Sequence, residues 1–453
     1  MRRPPPTAPA LGLPEAPDLS LPAGFWKQFM RHHWDRSPVR FERPFSANFP
    51  TRDEIYAALL EAGRQLRRGD FAPLRFFIEH ESGGGRPLYS AVVFPYELVP
   101  TPSDGGLDAY LDRLQAALGG RRFGIVMDRC QTYDWRHWSQ MKSFLAGFHQ
   151  AAGVPLGASD SAVFIGNYRY TPFGIHKDDL QIFYFVVDGR KTMSFWPLET
   201  FADREEMPPG PDLAGRNATV VLRSAEEERE ALALAHPLEA GPGDLLYWPA
   251  SYWHRAEPSS GVSISVSLGV KFAPPLFGGG PPGPGDGPHR LRSGEMPTPG
   301  LWTLPEAVRA SLAKREARAE VASARRAAVE EWVRFLTGGA LEGAPPEVSG
   351  APLQSRDLIY APQGRRVVWV RQPGGHLIVS ANARSEVLSA SPGALRQVEW
   401  LLKALNGGGE HRVRELEQAF YARPSAHAFK PKALRALLNA LLRWRAVERR
   451  PEP

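Results

Sequence analysis

Between Ala162 and Phe272 the chain is a succession of short apolar runs separated by turn residues. The runs are AVFIGNYRY, LQIFYFVV, KTMSFWP, ATVVLR, GDLLYWP and GVSISVSLGVKF. Each is short and rich in β-branched and aromatic residues, and several such runs in order make a barrel or a sandwich. Helices precede this block. FWKQFMRHHWDRSPVRF reads as a short amphipathic helix running into a strand near Val39. Thr51 and Glu54 form a capping box that opens a helix over TRDEIYAALLEAGRQL. GGLDAYLDRLQAALGG and WRHWSQMKSFLAGFHQAAG carry helical periodicity, and β-like runs with Gly turns lie between Phe76 and Val99.

After the β-rich block the texture changes. PPLFGGGPPGPGDG reads as a linker; it lacks the GK[ST] ending of a phosphate loop. Leu304 to Leu336 reads as a helix so thin in large apolar residues that it needs a partner helix. RRVVWVRQ and HLIVSAN read as strands joined at Pro373–Gly375, and three helical runs follow, as in a winged-helix module. The expected fold class is α+β. A Pro-rich tail (1–20) leads into a jelly-roll domain (21–275), then a Pro/Gly linker (276–300), a helical segment (301–340) and a winged-helix-like domain (341–453).

Composition narrows the chemistry. Cys130 is the single cysteine, which excludes an internal disulfide and a Cys-based zinc cluster and reads as a core residue. A metal must then sit on His, Asp or Glu. No run of about 18 apolar residues is present, so no membrane span is expected. The N-terminus has no apolar stretch of a secretory signal, and the expectation is a cytoplasmic protein. The net charge is +6, and from Leu395 to Pro453 there are 12 Lys and Arg against 6 Asp and Glu. The plain reading is a solvated helical surface; the alternative is contact with nucleic acid or an acidic partner.

The stretch FGIHKDDLQIFYFVVDGRKTMSFWP carries the candidate site. In a strand, residues two apart share a face, so His176 and Asp178 point the same way. Asp188-Gly189 reads as a two-residue hairpin turn that pairs Val186 with Lys191 and puts Lys191 on that face too. His254, at the end of GDLLYWPASYWH, supplies a third ligand if a returning strand lies beside the first in a jelly roll. Two histidines and one carboxylate make the facial triad of non-haem iron(II) oxygenases, and a buried lysine suits the far carboxylate of a 2-oxo acid co-substrate. Ser263, Ser265 and Ser267 give one face of a buried strand a polar character. Trp248, Tyr252 and Trp253 read either as a substrate cleft or as rim packing. A second His-x-Asp, His33-Trp34-Asp35, sits in a helical pattern where i and i+2 do not share a face, and is structural. His149, His236, His376, His411 and His427 lack partners and read as surface or core residues.

On these residues the chain resembles the JmjC-type 2-oxoglutarate oxygenases, most of all the ribosomal oxygenase branch. NYRYTPFGIHKDDLQIFYFVVDGRKTMSFWP is similar to that branch's strand-and-hairpin block, and GDLLYWPASYWHRA to the block with its distal histidine. The resemblance implies that His176, Asp178 and His254 bind iron(II). It implies that Lys191 binds 2-oxoglutarate, that Asn167 and Thr171 of an N-x-x-x-T-P stretch contact it, and that Ser267 faces it. It further implies a homodimer through the helical segment and hydroxylation of a side chain in a protein or peptide, ribosomal or a natural-product precursor. The loop from Pro172 to His176 is shorter than in the family, which reshapes the substrate entrance. Two readings stand beside this one: a nucleic-acid-binding winged helix with an inactive cupin domain, and a small-molecule hydroxylase. A third, an isomerase of the same fold, leaves Lys191 without a task.

Overall fold

The computed structural model describes residues 21–47, 49–80, 88–92, 95–155, 157–204, 206–207, 218–271, 321–362, 364–424 and 429–450. The Pro-rich tail, the linker and the first half of the helical segment lie outside these residues, as does His427.

Two long strands organise the central domain: β7 (Gln181–Pro197) and β12 (Tyr252–Val270), antiparallel along their whole length. Each passes from one sheet into another. The larger sheet holds the first half of β7 and the second half of β12. Its order runs β1 (Val39–Phe41), β11 (Leu245–Trp248), β7, β12, β5 (Ser159–Gly166), β4 (Phe123–Met127), β2 (Leu74–His80) and β3 (Leu88–Val92). The smaller sheet holds the other halves, flanked by β10 (His236–Ala240) on one side and on the other by β6 (His176–Lys177), β9 (Ala218–Val220) and β8 (Glu206–Met207). Strands that switch sheets at a bend turn two packed sheets into a jelly roll.

The bend falls at Asp188-Gly189, and here the sequence expectation fails. There is no hairpin, and β7 continues to Pro197. The register with β12 shifts instead between Pro258 and Ser265. Gly189 has φ 68°, and a Cβ there would lie 2.7 Å from the Val262 carbonyl oxygen. A strand with an irregular glycine of positive φ bends and changes phase. Asp188 holds the corner through an ion pair with Arg52 of α2 (Arg52–Arg67).

Three apolar layers result. Outside the larger sheet, Phe183, Phe185, Ile264, Val266 and Leu268 pack on α1 (Phe25–His32), α2, α3 (Leu107–Ala117) and α4 (Trp135–Ala152). Between the sheets lie Ile182, Tyr184, Val186, Met193, Phe195, Leu246 and Trp248. Outside the smaller sheet, Trp196, Trp253 and Phe201 pack on α5 (Ala225–Ala233). Even-numbered residues of β7 face the interior before the bend and odd-numbered ones after it, which is the phase change made visible.

The capping box is present, Thr51 and Glu54 bonding reciprocally. The His33-Trp34-Asp35 copy lies just past the end of α1 rather than within it. Trp34 is buried and Asp35 accepts from Gln181 at 3.0 Å, so its role is structural.

At the C-terminus, α6 (Val321–Thr337) lays Val329, Trp332 and Val333 against β14 (Val368–Gln372), β15 (His376–Ala381) and β16 (Arg384–Ser389). This described part of the helical segment packs on a sheet of its own chain. The strands β14 and β15 meet around Pro373–Gly375 as expected, whereas β16 was not foreseen. Helices α7 (Pro392–Asn406), α8 (Val413–Tyr421) and α9 (Pro431–Arg443) share one core. A small sheet of β17 (Glu410–Arg412), β13 (Leu358–Tyr360) and β18 (Glu448–Arg449) adjoins them, a winged-helix-like arrangement. Among the described residues no helix is long and apolar enough to cross a membrane.

Candidate metal and co-substrate site

The smaller sheet places His176 of β6 directly opposite His254 of β12. Their rings stand 4.1 Å apart between centroids, and Asp178 Oδ2 lies 3.6 Å from His254 Nε2. One ligand atom from each of the three residues lies within 4.8 Å of the other two, the spacing of donors around one ion. His176 Nδ1 donates to the Gly174 carbonyl at 3.1 Å, which turns Nε2 toward the other two residues. Burial raises the Asp178 carboxyl above its ordinary range, although His176 beside it pulls the other way. Burial and the neighbouring His176 hold His254 well below the usual imidazole value. The pocket thus disfavours the protonated form of His254, and neutral imidazole is the form that ligates a metal.

Lys191 is fully buried on β7 just past the bend. Its Nζ donates to the Tyr168 hydroxyl at 2.7 Å and lies 5.1 Å and 5.9 Å from the ring centres of Tyr168 and Tyr184. Among the described residues no carboxylate pairs with it. Desolvation alone lowers its pKa to about 7. A buried cation without a counter-charge is costly, and an anion bound beside Lys191 would offset that cost. Tyr168 was not foreseen. Gly124 and Gly166 make room for its ring, since a Cβ on either would come within 3.1 Å and 2.6 Å of it. The signal was a pair of glycines on adjacent strands in register, visible only once β4 and β5 are paired. Tyr184 donates to or accepts from Ser265 at 2.5 Å, so the Ser-rich face of β12 does line the interior.

The other expected residues divide. Ser267 shares the face of Ser263 and Ser265 and pairs with Tyr184 in the ladder. Thr171 is buried and its backbone N–H donates to Ala256, two residues from His254. Asn167 departs from expectation. Its side chain accepts from the Phe123 N–H at 2.8 Å and donates to Gln115 at 3.1 Å, tying β5 to β4 and α3. Trp248 packs on His254 with ring centres 5.0 Å apart, and its indole N–H is buried without a partner. Tyr252 is half-buried against the same interior layer. Trp253 is a correction: adjacent to His254, it faces the opposite side of β12, fully buried against Phe201 and donating to the Leu198 carbonyl. The alternation of strand side chains excludes it from the cleft. Cys130 is sealed in the core, 3.0 Å from both His137 and Ser161.

Residues 126–268 match a family described as a cupin-like domain. No curated protein matches the chain. Among solved structures it is similar to YcfD, a ribosomal oxygenase from Escherichia coli, at 15% identity, covering 96% of this chain and 99% of that one, with a TM-score of 0.43. Structures of YcfD with cobalt and succinic acid and with cobalt and 2-oxoglutarate each match at 15% identity, covering 96% of this chain and 100% of that one. Their TM-scores are 0.44 and 0.43.

Proposed function

We propose that this chain, with its cupin-like domain, is an iron(II)- and 2-oxoglutarate-dependent oxygenase that hydroxylates a side chain of a protein or peptide. The observation that carries the reading is the pairing of two features in one interior: a two-histidine, one-carboxylate cluster and a buried ammonium that has no counter-charge among the described residues. Either alone has other uses. An isomerase needs the first and not the second.

The residues fit the group. His176, Asp178 and His254 would hold iron(II) from one side and leave positions open for co-substrate and oxygen. When bound, iron with 2-oxoglutarate and oxygen supplies an oxidant strong enough to attack an unactivated C–H bond. Lys191 binds the distant carboxylate of 2-oxoglutarate by a charge-assisted hydrogen bond, and the Tyr168 hydroxyl orients the ammonium. Trp248, Tyr184 and Phe195 form an apolar wall that keeps water from this region.

The test is direct. Anaerobic titration of the iron(II)-loaded protein with 2-oxoglutarate should produce a charge-transfer absorption that Lys191→Ala weakens and Asp178→Ala abolishes. Mass spectrometry of candidate proteins and peptides then seeks a gain of one oxygen that requires both iron(II) and 2-oxoglutarate. Absence of any metal-dependent 2-oxoglutarate binding defeats the proposal.

A further inference from the structure

The charge excess of the C-terminal segment becomes specific once its ion pairs are known. Arg412, Arg435, Arg443, Arg449 and Arg450 are matched by Glu415, Glu417, Glu347, Asp357 and Glu410. Arg445 lies over the Trp135 ring. Among the described residues, Arg396, Lys403, Arg414, Arg423, Lys430 and Lys432 have no acidic partner, and contacts through Trp400 and Tyr421 relate all but Arg414. Arg396, Trp400 and Lys403 follow one another at helical spacing on α7, the two cations exposed and Trp400 half-exposed. The Arg423 guanidinium stacks on Trp400 with its carbon 3.6 Å from the ring centre. Just before Arg423, the Tyr421 hydroxyl donates to the Phe429 carbonyl at 2.9 Å, which brings Lys430 and Lys432 at the start of α9 to the same end of the module. The one acid on this face of α7, Glu399, is neutralised by Arg371 at 2.5 Å.

Two further details favour phosphate. The N-terminus of α9 has no side-chain cap and no acid in its first turn, so its backbone N–H groups add to the positive field of the lysines. A guanidinium held over an indole and bonded to the Ala419 carbonyl is pre-organised, and its plane suits both phosphate oxygens and an unpaired base. We propose that the surface of Arg396, Lys403, Arg423, Lys430 and Lys432 around Trp400 binds a single-stranded nucleic acid. This stands independently of the oxygenase reading.

The experiment is fluorescence anisotropy of a labelled 12-nucleotide uridine oligomer with the full chain between about 50 and 200 mM salt. Five phosphate contacts predict a slope of log K against log salt near −3.5, at roughly −0.7 per contact. Arg396→Glu with Lys403→Glu should cut the slope to about −2 or shallower and weaken binding at least tenfold. Arg423→Lys should keep the slope and lose affinity, because the charge stays and the planar fork goes. His254→Ala should bind like wild type. Unchanged melting temperatures show that the surface variants are folded. No binding at about 50 mM salt, or equal binding by the charge-reversed variant, overturns the proposal. So does equal competition by polyglutamate, or a duplex bound as tightly as the single strand.

Discussion

Replacing Lys191 by methionine should make the metal-free protein more stable, not less. The ammonium is fully buried, and desolvation moves its pKa from 10.5 to about 7. At about 1.4 kcal/mol per unit, that shift amounts to ~5 kcal/mol in favour of the neutral amine. The hydrogen bond to Tyr168 and the two tyrosine faces return part of it, about 1–3 kcal/mol. Methionine is similar in length and carries no charge, so Lys191→Met should gain roughly 2–4 kcal/mol at pH 7. The sign with pH follows from linkage. Between the folded value of about 7 and the unfolded 10.5 the unfolded chain binds the extra proton, so this group makes wild-type stability rise with pH across that window. Below about 7 its cost is constant. The variant should lose this rise. Urea unfolding of both proteins at about pH 7 and pH 9 reads the gain directly, provided the m-values agree. A second arm ties stability to function: millimolar 2-oxoglutarate should raise the melting temperature of the metal-loaded wild type and leave Lys191→Met unmoved. A variant less stable than wild type at pH 7 would mean that the ammonium is satisfied within the chain. Equal stabilisation of both by 2-oxoglutarate would mean that its carboxylate binds elsewhere.

Four other substitutions probe the same framework. Asp178→Asn keeps the shape of the cluster but removes its anionic ligand, and should cost at least 100-fold in manganese(II) affinity measured by calorimetry. Gly189→Ala puts a Cβ against the Val262 carbonyl at positive φ; it should destabilise by about 1–3 kcal/mol in urea unfolding and weaken 2-oxoglutarate binding by displacing Lys191. Trp253→Ala should lose about 3–5 kcal/mol of stability with co-substrate affinity unchanged in the folded fraction, whereas Trp248→Phe should alter affinity with a smaller stability change.

The parts of the fold that were legible are those where period and punctuation agree. Thr51 and Glu54 marked a helix start, the glycines after Pro373 marked a hairpin, and the β-rich runs marked the sheets. What stayed hidden depends on pairing. RSEVLS was not read as β16, although Asn382 and Ala383 both adopt positive φ, the conformation of a two-residue hairpin turn. Only the asparagine advertises that turn; alanine does not. Asn167 and Tyr168 show the same limit within the site. The polar neighbour looked functional, yet its amide is consumed by Phe123 and Gln115, while the aromatic one reaches Lys191.

Lys191 shows how a faulty local step can reach the correct face. A hairpin at Asp188-Gly189 would have placed Lys191 beside Val186 on one face of two paired strands. In the structure the same dipeptide bends a single strand between two sheets, and Gly189 shifts its phase by one residue. Both geometries put Val186 and Lys191 on the interior side, because each inserts an irregularity of the same parity between them. Parity decides only which side of the sheet a residue faces. Depth and neighbours come from the long-range pairing of β7 with β12, which carries Lys191 onto Pro258 and its ammonium between Tyr168 and Tyr184. A sequence pattern can therefore nominate a buried lysine, but only the crossing of the two sheets supplies the tyrosines around it, and among the described residues it leaves no carboxylate to satisfy it. That uncompensated cost is what supports reading Lys191 as a binding group rather than a structural one.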